Sequence, residues 1–175
     1  MPKIVNHEEQ QQKIAAGAAE LFSRYGYSAL GMRRIADELG MSKSALYHYF
    51  PTKQDLFVAC TKVATSFPIP ETSDPTAEQD PFQQLSDFIN VVEPTIESEL
   101  TLLLDYLRGK DNAEKSADPA MQLANQRFSE AIGQWFPDQN TTPVLCLTYG
   151  LLLLRYFDGQ QTSSAELIQW LKQHL

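Results

Sequence analysis

Between Ser42 and Lys53 the chain carries Lys43 and Lys53, the hydroxyls of Ser42, Ser44, Tyr47, Tyr49 and Thr52, the imidazole of His48, and no acid. These groups can hydrogen-bond and pair with anions, but none is spaced as a nucleophile with its base. Lysine can reach guanine acceptors or a phosphate, serine can donate or accept at base edges, and the methyl of Ala45 can touch a thymine methyl. Tyr47 and Tyr49 can each donate a hydroxyl to a phosphate oxygen. His48 is expected as a surface contact, because no carboxylate or nucleophile is placed to partner it. Lys53 opens a helix, where unpaired backbone N–H groups also attract phosphate. Gly31, at the start of an earlier helix, offers a second such anchor, with Arg33 and Arg34 beside it as phosphate partners or merely a solvated face.

These side chains can act together only if helices hold them. From Glu8 to Tyr25 the apolar residues Ile14, Ala15, Ala18, Leu21, Phe22 and Tyr25 follow helical spacing, and Gly26 is placed to stop the helix. Met32 to Leu39 is a second, short helix with Met32, Ile35, Ala36 and Leu39 on one stripe. Gly40 ends it, and Ser42 caps a third helix, Lys43 to Phe50, in which Leu46 and Phe50 face inward one turn apart. Two short helices joined by a turn containing glycine form a helix-turn-helix over residues 31–50. On the third helix Lys43, Ser44, Tyr47 and His48 lie along one outer flank, with Ala45 and Tyr49 on the other. A helix that enters a major groove needs that division between a buried seam and a polar outside. The spacing alone would also suit a plain helical corner. The outward hydroxyls and ammonium groups favour the DNA reading.

Pro51 closes the third helix, and Thr52 with Asp55 forms the opening of a capping box for a fourth, whose buried face is Leu56, Phe57, Cys60, Val63 and Ala64. Phe67 to Asp80, with three prolines, reads as a loop. Further helices are expected from Pro81 to Val92, from Thr95 to Leu107, and from Pro119 to about Trp135, with Pro94 breaking the first two apart. Gly109 to Asp118 reads as a charged loop. Pro143 to Phe157 is apolar nearly all round, and Ser163 with Glu166 opens a last helix running to Leu175. No strand pattern and no repeat is evident. The fold class is therefore all-α, about nine helices: an N-terminal three-helix DNA-binding domain over residues 1–52 and a helical ligand-binding and dimerisation domain over residues 53–175.

Charge distribution supports that division. The 175-residue chain has a net charge of −8, which by itself argues against a polyanionic partner. Residues 1–57, however, hold seven Lys/Arg against six Asp/Glu, and residues 58–175 hold seven against sixteen. An acidic body with one locally positive element suits a protein that meets DNA only there. Apolar residues make up 43% of the chain, enough for a core. The longest apolar run, Val144 to Leu154, is too short to span a bilayer. The N-terminus has no apolar signal region, so a soluble, cytoplasmic protein is expected. Cys60 and Cys146 sit among helical apolar residues and are expected as buried thiols. No metal site is expected, since His7, His48 and His174 are scattered. No cofactor, catalytic residue or membrane partner is assigned.

The run from Ile35 through Gly40, Ser42, Leu46-Tyr47-His48-Tyr49-Phe50 and Lys53 to Leu56 resembles the N-terminal domain of the TetR family of transcriptional regulators. So does Ala19-Glu20-Leu21-Phe22 followed by Tyr25-Gly26-Tyr27. The likeness covers about residues 10–60 and implies DNA contacts at Lys43, Ser44, Ala45, Tyr47, Tyr49 and Lys53. Two positions depart from the family's pattern. Gly31 stands where a capping Ser or Thr is frequent, and Tyr49 stands where a His is frequent, with His48 one place earlier. The resemblance implies a repressor released from a pseudo-palindromic operator by a small molecule. It also implies that the last two helices, about 143–157 and 163–175, form a homodimer interface. The all-round apolar helix agrees with that, or else lies inside a monomer. Tyr106, Phe128, Trp135 and Tyr149 are candidates for a ligand pocket or plain core. Glu93, Asp105 and Arg155 could satisfy a polar ligand or one another. The rival function is a protein-interaction module whose helix-turn-helix corner reads no DNA.

Overall fold

A computed structural model describes residues 7–66, 80–136 and 141–174. All nine expected helices are there: α1 (His7–Tyr25), α2 (Met32–Glu38), α3 (Lys43–Tyr49), α4 (Lys53–Ala64), α5 (Pro81–Val92), α6 (Ile96–Tyr106), α8 (Pro119–Trp135), α9 (Thr141–Phe157) and α10 (Ser164–His174). A short extra helix, α7 (Asn112–Ser116), lies in the segment expected to be loop. The described residues contain no strand. The expected loop from Phe67 to Asp80 falls almost wholly outside the described residues.

The chain divides into two compact units, residues 1–67 with 98–125 and residues 68–97 with 126–175. In the first, α1 packs along α4, and α2 packs on α3. Its core gathers Ile14, Ala18 and Phe22 of α1, Leu30, Ile35, Leu46 and Phe50 of the helix-turn-helix, Leu56 and Phe57 of α4, and Tyr106 of α6. Every one of these is nearly or fully buried, so the helix-turn-helix is anchored by the apolar stripe that the spacing predicts.

Local chemistry sets the element ends. Gly26 and Gly40 take left-handed φ of +83° and +65°, which a side chain would resist, and so terminate α1 and the α2 turn. The third helix stops one residue short of the expected Phe50, whose backbone is extended at φ −137°, ψ 99°. Pro51 is the reason, because its ring crowds a helical conformation in the residue before it. Thr52 and Asp55 complete the expected capping box, each side chain meeting the other's backbone N–H at 3.0 Å. The helix α7 corrects the loop reading of Gly109 to Asp118. Asp111 and Glu114 cap it reciprocally at 2.8 Å, a capping box in which an acid holds the N-cap position.

In the second unit α5, α9 and α10 pack through Leu85, Ile89, Val92, Val144, Leu151, Leu152, Ile168 and Leu171. The α9 helix buries one face only. Thr148 and Arg155 share that face with Val144, Leu151 and Leu152, while Leu154 and Phe157 stay exposed, Phe157 by 75%. The buried Arg155 guanidinium pairs with Glu93 and donates to the Thr162 carbonyl, so these ionisable groups satisfy one another. Cys60 is buried as expected, but Cys146 is exposed, which corrects the reading of two buried thiols. No group of three metal-ligating side chains occurs among the described residues. No helix of the described residues is long and apolar enough to cross a membrane.

Candidate nucleic-acid interface

The α3 helix has the two-sided character that groove recognition requires. Leu46 is fully buried and Phe50 nearly so, holding the helix from behind. Ser42, Lys43, Ser44, Tyr47 and His48 are exposed, and Ala45 and Tyr49 are half-buried. Ser42 caps the helix by accepting the Ala45 N–H at 3.1 Å, and its Oγ lies 3.1 Å from that of Ser44. One hydroxyl therefore fixes the helix start while its neighbour stays on the outer surface. The Lys43 ammonium lies 5.5 Å from the Tyr47 ring centroid, so cation and ring share one outward patch.

Helix α1 contributes to the same surface. The His7 ring lies 4.9 Å from that of Tyr49 and 5.9 Å from that of His48. Gln11 donates from Nε2 to the Tyr49 carbonyl at 3.4 Å, tying α1 to the end of α3. His7 was not singled out from the sequence, because its 41-residue separation from His48 hides the contact. Gly31 is exposed, precedes α2 in extended conformation and supplies no side-chain cap, leaving that helix start open to solvent. Arg33 is exposed. Arg34 is engaged over the Tyr25 ring at 4.5 Å and beside Glu38 at 3.9 Å.

Lys53, at the first turn of α4, is half-buried, with its ammonium 3.9 Å from the Tyr27 ring centroid. Burial lowers its affinity for a proton, and the charge of Asp105 partly restores it. Asp105 in turn accepts the Ser28 N–H at 2.7 Å.

The four candidate pocket residues are divided between the two units. Tyr106 belongs to the first unit, where its ring stacks on Phe57 at 4.1 Å and its hydroxyl donates to Asp118 at 2.6 Å. Phe128, Trp135 and Tyr149 belong to the second unit and gather around Phe88. The Phe88 ring is 5.9 Å from Phe128 and 5.4 Å from Trp135, and Phe128 is 5.7 Å from Tyr149. Burial pushes the Tyr149 hydroxyl up to about 12. The indole N–H of Trp135 is buried without a hydrogen-bond acceptor among the described residues.

The described residues are helical without a strand, with an exposed and well-anchored α3 in a helix-turn-helix arrangement. Through residues 14–60 the chain matches the family model for bacterial regulatory proteins of the tetR family. Over 64 residues it is 34% identical to the transcriptional repressor AcnR of Corynebacterium diphtheriae, covering 35% of this chain and 34% of that protein. Over 52 residues it is 40% identical to the transcriptional activator FasR of Mycolicibacterium smegmatis, covering 30% of this chain and 24% of that one. The matched segment thus spans about a third or less of these relatives. The fold likeness is broader. The multidrug binding protein EbrR, solved with imidazole, superposes with a TM-score of 0.65 at 20% identity over 94% of this chain and 89% of its own. NalD, a secondary repressor of a multidrug efflux pump in Pseudomonas aeruginosa, superposes with a TM-score of 0.53 at 20% identity, covering 89% and 88%.

Proposed function

We propose that this chain is a DNA-binding transcriptional regulator, a repressor that leaves a pseudo-palindromic operator when a small molecule binds its C-terminal part. The carrying observation is α3, buried through Leu46 and Phe50 and presenting Lys43, Ser44 and Tyr47 outward. Residues 1–52 read the DNA in this proposal. Lys43, Ser44 and Ala45 meet base edges, and Tyr47, His48, Tyr49, Lys53, Arg33 and the backbone at Gly31 meet phosphates. Ser42 holds the start of the helix. No step is catalytic.

Two copies pair through α9 and α10. Exposed Leu154 and Trp170, which line one groove with Leu147 and Leu167, support this, since apolar side chains grouped in that way mark an interface. A twofold pair places two α3 helices in successive major grooves, about 34–36 Å apart. Residues 53–175 provide this interface and the effector site. The unsatisfied Trp135 N–H amid Phe88, Phe128 and Tyr149 supports a ligand there with a hydrogen-bond acceptor and an apolar body. Such a ligand shifts the chain from DNA only as far as it prefers the conformation that DNA does not.

Selection of bound sequences from random duplex DNA tests the proposal. Enrichment of a palindromic motif supports it. Failure to enrich any sequence overturns it in favour of a protein-interaction module.

A further inference from the structure

Lys53 is half-buried, whereas Lys43 and Arg33 of the proposed DNA surface are exposed. Its ammonium sits 3.9 Å from the centroid of the Tyr27 ring, closer than the other lysine of that surface, Lys43, sits to Tyr47. The ring is itself boxed. Phe22 lies 5.5 Å from it, Phe57 5.1 Å and Tyr106 4.7 Å, the last two edge-on. The backbone beneath it is pinned, because Asp105 accepts the N–H of Ser28 at 2.7 Å. The same carboxylate attracts the Lys53 ammonium through space.

A lysine side chain carries several rotatable bonds, and freezing them against a phosphate costs affinity. A ring held on three sides offers a fixed negative face that orders the ammonium beforehand. We propose that Tyr27 is a positioning residue for DNA binding, its ring face holding Lys53 at the start of α4 in readiness for a phosphate. The proposal rests on the DNA-binding reading above. Tyr27 touches no DNA in it. It acts only through Lys53, and its hydroxyl is dispensable.

The test is a double-mutant cycle on the selected duplex, with affinity read by fluorescence anisotropy at several salt concentrations. Tyr27→Phe keeps the ring face and binds as the wild type does. Tyr27→Leu removes it and weakens binding on the order of tenfold for a dimer bearing two such lysines. Lys53→Ala weakens binding and lowers the salt slope by about one per subunit. Adding Tyr27→Leu to Lys53→Ala then costs less than about twofold, because the group it served is gone. Equal cost in the two backgrounds assigns Tyr27 to packing alone and overturns the proposal, as does wild-type affinity from Tyr27→Leu.

Should Tyr27→Leu fail to fold, proton NMR on the unmodified protein decides. The Lys53 ε-methylene protons resonate upfield of the ordinary lysine position if they sit over the ring, and they are told from those of Lys110, which lies over Tyr106, by their loss in Lys53→Ala. Lys53 resonances at ordinary lysine positions overturn the placement. A wild-type chain that enriches no duplex while showing the upfield shift sinks the regulator reading, and the positioning role with it.

Discussion

The Tyr106 hydroxyl donates a 2.6 Å hydrogen bond to the carboxylate of Asp118, which is almost wholly buried. The other Asp118 oxygen accepts the N–H groups of Ala120 and Met121 at 3.0 and 3.1 Å, capping α8. Lys110 pairs with the same carboxylate and lies over the Tyr106 ring at 4.0 Å. One side chain thus joins the end of α6 to the start of α8 inside the first unit, and both helices lose their anchor without it.

Asp118→Ala should therefore destabilise the protein by about 2–4 kcal/mol, because it removes one acceptor of the buried Tyr106 hydroxyl and the cap of two helix N–H groups. Urea denaturation measures it. Burial pushes the Asp118 carboxyl up, but hydrogen bonds from Lys110, Tyr106 and the Met121 N–H outweigh it and hold the group below the usual carboxylate range. Its contribution is then complete above the unfolded-state value of about 4 and fades as pH falls through the lowered native value. The stability difference between wild type and Asp118→Ala should be constant at neutral pH and shrink below about pH 4.

Leu46→Ala removes the fully buried side chain that anchors α3 from within. A loss of about 2–5 kcal/mol is expected, set by how far the site collapses. Calorimetry reads it as a lowered melting temperature. A wild-type melting temperature would mean that α3 does not depend on that seam.

Lys43→Ala and Tyr47→Ala act on the outside of the same helix, where Tyr47 is 40% exposed. Each should leave stability within about 0.5 kcal/mol of wild type. Each should weaken operator binding by about tenfold, in the lower part of the range for one recognition contact. Wild-type affinity in an electrophoretic shift from both variants would count against α3 as the reading helix.

Trp170→Glu places a charge in the apolar groove of α9 and α10 that Cys146, Leu147, Gly150, Leu154 and Leu167 also line. Sedimentation should find the wild type dimeric and the variant monomeric, with far-UV circular dichroism unchanged. A variant that still sediments as a dimer moves the interface elsewhere.

Wherever the physics is local, the amino-acid order decides it. Helical periodicity placed nine helices within a residue or two of their ends. Gly26, Gly40, Ser42 and Thr52 set the stops and caps that the structure shows, because a left-handed turn or an N-cap depends on one residue and its nearest neighbours. The split of α3 into Leu46 within and Lys43, Ser44 and Tyr47 without follows from 100° of rotation per residue. The structure decided what depends on residues far apart in the chain. His7 reaches Tyr49, Tyr27 meets Lys53, and Asp105 meets Ser28 across separations that no spacing rule reaches. Tyr106 packs on Phe57 while Phe128 packs on Phe88 for the same reason, since aromatics on helical faces read alike until packing assigns each a neighbour.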